Sequence, residues 1–158
     1  MYRSVVIALD GSPLAAKAVP QGADIARRFE APLILLRVLP TEKEFEDAGP
    51  EPDPQRAEFS ADVLGRREYD SLRAQAEGYL ESIKKSLRSS GVAVETRLEE
   101  GKAAGTILRV ANSLELPLVI ITPYGKSASL SPSPDGVFGR VADEVLRQST
   151  VPVLVAKE

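Results

Sequence analysis

The stretch SVVIALDGSPLAAKAV, residues 4–19, decides how the chain is read. Ser4 to Leu9 is apolar at consecutive positions and rich in branched side chains, as a strand covered on both faces should be. Asp10-Gly11-Ser12 then breaks the run. Ser12 is suited to cap a helix, and Pro13 to fill its first position, where a missing N–H is no loss. A doubly covered strand running straight into a helix is the opening of a parallel α/β sheet. In that helix Leu14, Ala18, Ile25 and Phe29 are expected to face the core, and Pro20 to kink or split it.

The pattern repeats outward. PLILLRVL (32–39) and PLVIIT (117–122) read as further buried strands. VAVETRL (92–98) alternates like a strand less completely covered, at a sheet edge, and VPVLVA (151–156) closes the chain as a fifth. From Arg66 to Arg88 the positions Leu72, Ala76, Tyr79, Leu80, Ile83 and Leu87 recur at helical spacing, with Gly91 beyond them as a stop. Gly101 precedes a short helix carrying Ile107, Leu108, Ala111 and Leu114, and a last helix is expected from about Gly139 to Gln148. Residues 40–63, with Glu42, Glu44, Glu46, Asp47, Glu51 and Asp53 among prolines, read as a long solvated loop or an interaction loop.

The order βαβαβαβαβ predicts an α/β protein: a three-layer αβα arrangement around a parallel five-stranded sheet, with residues 1–158 as a single domain. Ligands of such sheets bind beyond the carboxyl ends of the strands, where strand order reverses. Here that point falls between the first and fourth strands, and both Asp10 and the segment ITPYGKSASLSPSPDGVFGRV (121–141) follow those strand ends.

Composition narrows the chemistry. A chain of 158 residues can bury a core without staples, and a net charge of −3 with interspersed signs carries no footprint of nucleic-acid binding. No cysteine is present, which excludes thiol chemistry and fits a reducing compartment. No apolar run approaches the roughly 20 residues of a membrane span. The protein is expected to be cytoplasmic, without membrane or nucleic-acid partners. There is no histidine either, so Ser-His-Asp triads and His-ligated zinc are impossible. Binding is favoured over catalysis, and neither a catalytic residue nor a metal ligand is assigned.

Three features stand out as site candidates. Asp10 is either a turn-former and cap, or a ligand contact accepting from a ribose hydroxyl or a base amine. Gly125 and Gly139 flank a polar segment in which Lys126, Ser127, Ser129, Ser131 and Ser133 offer a charge and hydroxyls. Such a segment is either a flexible loop or a phosphate cradle at a helix N-terminus. Arg140, in the first turn of that helix, opposes the helix dipole at a cost of about 0.3–1 kcal/mol. An acid such as Asp135 or Asp143 would offset that cost, and so would a bound phosphate.

With those residues in place, the chain resembles the universal stress protein family. VVIALDGSPLAAKAV, LILLRVL, GKAAGTILRVANSLELPLVIIT and GRVADEVLRQSTVPVLVAK follow its landmarks in order, over nearly the whole chain except the acidic segment. The resemblance implies the strand order 3-2-1-4-5 of the adenine nucleotide alpha hydrolase-like fold. It also implies a homodimer paired along the last strand, Val151 to Ala156, which would otherwise be an uncovered apolar edge. Members that bind ATP carry Gly, two residues, Gly, about nine residues, then Gly followed by Ser or Thr, around the phosphates. Here Thr122 takes the place of the first glycine, with Pro123 and Tyr124 after it, and Gly125 matches the second. The spacer is longer, Gly139 matches the third, and Arg140, followed by Val141, replaces the hydroxyl residue.

Asp10, led up to by Ala8 and Leu9, matches the acid that contacts the nucleotide, and Val38 a strand residue against adenine. The resemblance thus implies a stress-response binding or regulatory protein with a modified cleft for ATP or another adenine nucleotide, with or without Mg²⁺. The rival is a nucleotide-free dimer acting through a protein partner. Slow ATP hydrolysis stays open. A phosphoacceptor receiver domain would need an aspartate ending the third strand, where Leu98-Glu99-Glu100 stands instead.

Overall fold

Strand β1 (Ser4–Ala8) is the centre of a parallel five-stranded sheet, and its side chains from Val5 to Ile7 are wholly buried. Around it run β2 (Leu33–Leu39), β3 (Val94–Glu100), β4 (Pro117–Ile121) and β5 (Val153–Val155), in the order β3-β2-β1-β4-β5. This is the expected 3-2-1-4-5 sheet. The computed structural model describes residues 1–48, 61–125 and 138–157, with the side chains of 61–64 left out.

Helix α1 (Pro13–Phe29) follows β1, and α2 (Glu42–Ala48) and α3 (Ala61–Ser86) lie between β2 and β3. Helix α4 (Ala103–Asn112) leads into β4, and α5 (Arg140–Gln148) into β5. The chain moves outward from β1 to β3, then crosses back to β4. Right-handed crossovers therefore put α1 and α3 on one face, α4 and α5 on the other. The two cores follow this division. Val5, Ile7, Leu33 and Leu35 pack with the alanines of α1 and with Leu80 of α3. Val6, Ile34, Leu36 and Val119 pack with Ile107, Ala111 and Val145 of α4 and α5. Each central strand feeds both cores by simple alternation, which explains its unbroken apolar sequence.

Helix α1 starts as expected. Ser12 Oγ accepts from the Ala15 amide at 3.1 Å, and Pro13 opens the helix. Its buried face is only in part the expected one: Ala18 is buried and Ile25 packs against the core. The residues turned inward are Ala15, Ala18, Val19, Gly22, Ala23 and Ala26, while Leu14 and Ile25 are only partly covered. Phe29 is 39% exposed and packs edge-on against Tyr2, with ring centroids 5.1 Å apart. Small residues face the sheet because the helix lies close to it: a Cβ on Gly22 would overlap Ile7 Cδ1. Pro20 does not split the helix, which is continuous through it. The proline is exposed, so the carbonyl that loses its N–H partner lies on the solvent side, where water substitutes.

The expected loop at 40–63 is partly helical. Thr41 and Glu44 form a reciprocal capping box: the Glu44 amide donates to Thr41 Oγ1 (3.2 Å) and the Thr41 amide to Glu44 Oε2 (3.0 Å). That box launches α2, whose Phe45 ring lies 5.6 Å from that of Tyr69 on α3. Helix α3 begins at Ala61, five residues before the expected start, and Glu51 and Asp53 lie outside the described residues. Strand β3 forms one sheet edge, as its weaker alternation suggested, and begins two residues later than expected. Among the described residues no helix is long and apolar enough to cross a membrane.

Candidate functional site

The carboxyl ends of β1 and β4 border a cleft of about 250 Å³ on the α4–α5 side of the sheet. Its walls are mainly apolar: Ala8 and Leu36 from β1 and β2, Val38 beyond them, Ala103 and Ile107 from α4, and Ile121 from β4. Val38 shares this face with Leu36 because residues two apart on a strand point the same way. Asp10, Thr122 and Arg140 bring the polar groups, and Gly125 and Gly139 bring bare backbone to its rim.

Asp10 is held from two sides. Its Oδ1 accepts from the Ser12 amide at 2.9 Å, closing the turn in which Gly11 has φ +82°. The loop after β4 presses on the carboxylate from the other side, since a Cβ on Gly125 would stand 2.6 Å from Asp10 Oδ2. Asp10 is therefore a turn-former and also a wall of the cleft.

Thr122 does more than fill a glycine's place. Its Oγ1 donates to the Tyr124 carbonyl at 3.0 Å, which folds the chain back so that Tyr124 and Gly125 reach the rim. The Gly139 amide donates to the Pro123 carbonyl at 2.8 Å, joining the two ends of the loop. That bond occupies one of the loop amides expected at a phosphate.

Helix α5 points its N-terminus into the cleft, with Gly139, Arg140, Val141 and Ala142 on the lining. Gly139 is its N-cap and offers no side chain, and the first intrahelical bond runs from Asp143 N to Gly139 O. The amides of residues 140–142 are thus without helical partners and face an apolar slot, an arrangement that favours a negative group. Arg140 is exposed at this end. Asp143, one acid considered as its partner, pairs instead with Arg147 at 2.9 Å. Asp135, the other, lies outside the described residues, as do Lys126 and Ser127, Ser129, Ser131 and Ser133.

Ala8, Leu9, Asp10, Val38, Thr122, Gly125, Gly139, Arg140 and Val141 are all brought together on this one cleft. Sequence reading missed Leu36, Ala103, Ile107, Ile121, Pro123, Tyr124 and Ala142, which complete it. Leu36 was recoverable from the strand period, two residues before Val38. Ala103 and Ile107 were recoverable as positions i and i+4 on the first turns of α4. Among the described residues no group of His, Cys, Asp and Glu is placed to hold a metal ion.

An apolar slot with one anchored carboxylate, opposite a helix N-terminus that has no side-chain cap among the described residues and an arginine beside it, is suited to a flat ring, a hydroxylated linker and an anion. Comparison with known proteins gives a family for it. Residues 1–157 match the Universal stress protein family. A universal stress protein of Methanocaldococcus jannaschii is 26% identical over 158 residues, covering 100% of this chain and 84% of that one. A universal stress protein solved in complex with cAMP superposes with a TM-score of 0.67 at 19% identity, over 98% of this chain and 96% of its own. One from Archaeoglobus fulgidus solved in complex with dAMP has a TM-score of 0.58 at 19% identity, over 99% of this chain and 98% of its own. Likenesses at these identities establish the shared fold.

Proposed function

The chain belongs to the universal stress protein family, and from that premise we propose that it is a non-catalytic stress-response regulator whose cleft takes an adenine nucleotide. One observation carries the reading: the Asp10 carboxylate, fixed by the Ser12 amide and closely approached by Gly125, stands in the same apolar cleft as the N-terminus of α5, which has no side-chain cap among the described residues. Adenine would lie against Val38 and Leu36, a ribose hydroxyl would donate to Asp10, and phosphate would meet the first amides of α5 and Arg140. The relatives solved with cAMP and dAMP support an adenine ring with a single phosphate. The amide bond between Gly139 and Pro123 favours the same choice, because it leaves fewer loop donors for a second and third phosphate. ATP would then bind through the adenosine end, with Mg²⁺ carried on its outer phosphates. No residue is assigned as nucleophile or general base.

The protein would act as a cytoplasmic homodimer. Among the described residues strand β5 pairs with β4 alone, and Val153, Leu154 and Val155 are half-buried at that open edge, where a second copy would complete the pairing.

A second reading, a nucleotide-free dimer working through protein contacts, draws on the same Gly139–Pro123 bond, which is a closed version of a phosphate loop. Purified protein tests the pair. Heat extraction that releases a compound with adenine absorbance, and a thermal midpoint raised by AMP, uphold the nucleotide reading. An extract without absorbance, and a midpoint unmoved by AMP, ADP and ATP at millimolar concentration, overturn it.

A further inference from the structure

Arg37 is the one charged residue in the three central strands β2, β1 and β4. By alternation it shares the α1–α3 face with Leu33 and Leu35, on the far side of the sheet from the cleft. Its Nε is buried with no hydrogen-bond partner among the described residues, and the hydroxyl of Tyr79 on α3, also buried, has none either. Burial lowers the proton affinity of Arg37, and the charge opposing that loss most strongly is Asp10, ahead of Tyr79. Tyr79 feels the same two groups: burial and Asp10 raise it, Arg37 lowers it. The strands explain the proximity. The Leu9 amide bonds the Leu36 carbonyl at 2.8 Å, so the chain end bearing Asp10 rises beside the end of β2 bearing Arg37.

Stability gives no reason for an arginine here. A half-buried guanidinium with an unbonded Nε loses water and recovers little, so an apolar side chain would serve the core better. The cleft gives a reason. A ligand that covers Asp10 strips water from a carboxylate, which disfavours its charged form unless a cation stands near in the same low-dielectric surroundings. Arg37 stands behind the sheet end, where no ligand in the cleft displaces it.

We propose that Arg37 is a positioning residue for Asp10, its cation standing behind the carboxylate and keeping it turned to accept while a ligand covers the cleft. Among the described residues, the other groups around Asp10 differ from Arg37 in kind or in place. Helix α1 presents the Ser12 amide, an uncharged donor, and its Lys17 is exposed. Tyr79 of α3 is neutral, and β4 carries no charge. Arg140 of α5 lies on the ligand's own side of the cleft, where the anion would engage it. The identity of the ligand, and only that, rests on the nucleotide reading above.

The test is a double-mutant cycle of Arg37→Met and Asp10→Asn, with Arg37→Lys as the charge-keeping control. Arg37→Gln stands in if the methionine variant does not fold. Urea midpoints of the ligand-free proteins come first. The expected result is non-additivity, the double variant losing less than the sum of the single losses. AMP titration of the same proteins follows. Arg37→Met is expected to weaken AMP about tenfold, with Arg37→Lys close to wild type. On the Asp10→Asn background Arg37→Met should have no further effect. Additive urea midpoints overturn the proposal, and so does an AMP affinity indifferent to Arg37→Met. A wild type that binds no AMP overturns the nucleotide reading instead, and the ligand-free cycle then decides for or against Arg37.

Discussion

Gly125→Ala adds one methyl group at the point where the loop after β4 meets Asp10. That methyl carbon would lie 2.6 Å from Asp10 Oδ2 and 3.6 Å from its Cγ. Ordinary contact requires a retreat of about 0.8 Å or more. The carboxylate cannot swing away freely, because Oδ1 is held by the Ser12 amide at 2.9 Å in the turn that starts α1. Either that bond stretches past useful length or the loop lifts off the cleft. Losing a hydrogen bond to a charged group costs about 1.5–3 kcal/mol. We therefore expect AMP affinity to fall about 10- to 100-fold. Stability should fall less, since a lifted loop relieves the contact without disturbing the sheet. Gly139→Ala is the built-in control: among the described residues its new methyl would meet nothing nearer than Pro123 O at 3.4 Å, an ordinary distance. AMP affinity should there stay within about threefold of wild type. The assay is calorimetric titration of AMP into both variants, with urea denaturation alongside. A Gly125→Ala protein that binds AMP as wild type does would refute the reasoning, because Asp10 would then not be where the ligand needs it.

Gly22→Ala places a methyl group on Ile7 Cδ1 beneath α1, and urea denaturation should show a loss of about 1–3 kcal/mol with no local effect on the cleft. Ser12→Ala removes the cap bond to the Ala15 amide, and the same assay should register about 1 kcal/mol. The neutral form of Tyr79 is favoured by the fold, first through burial and then through Asp10. Its stabilisation is complete below the unfolded tyrosine value, about 10, and is lost as pH climbs through the raised folded value. Tyr79→Phe should accordingly flatten the alkaline fall in thermal midpoint above about pH 10. Val153→Lys puts a charge on the open edge of β5, and sedimentation should show monomer where the wild type shows dimer.

The strands and the position of the cleft were legible because β1, β2 and β4 are buried on both faces and read as short uninterrupted apolar runs, while the strand order 3-2-1-4-5 came from the family resemblance. The packing face of α1 was legible only in part, at Ala18 and Ile25. Periodicity weights large residues, but this helix approaches the sheet so closely that alanines and Gly22 take the inner positions and Phe29 is left outside. Pro20 misled for a related reason: it lies on the exposed side of α1, where the freed carbonyl can reach water and the helix continues through it. The capping box of Thr41 and Glu44 was written in the sequence, yet acidic composition concealed it as loop. At the site, Asp10, Val38 and Gly125 followed from motif and strand ends. The hydrogen bonds from Thr122 to Tyr124 and from Gly139 to Pro123 depend on how the two loop ends meet, which no local pattern encodes. Arg37 was invisible for the opposite reason. Its position in the strand is plain, but only the fold sets it behind Asp10.

The most direct measurement is calorimetric titration of AMP, ADP and ATP, with and without Mg²⁺, into wild type and Asp10→Ala. The account predicts saturable binding of AMP at micromolar concentration, a modest further effect of the outer phosphates, and loss of binding in Asp10→Ala. Absence of heat and of any thermal shift at millimolar nucleotide, or equal binding by Asp10→Ala, would contradict it.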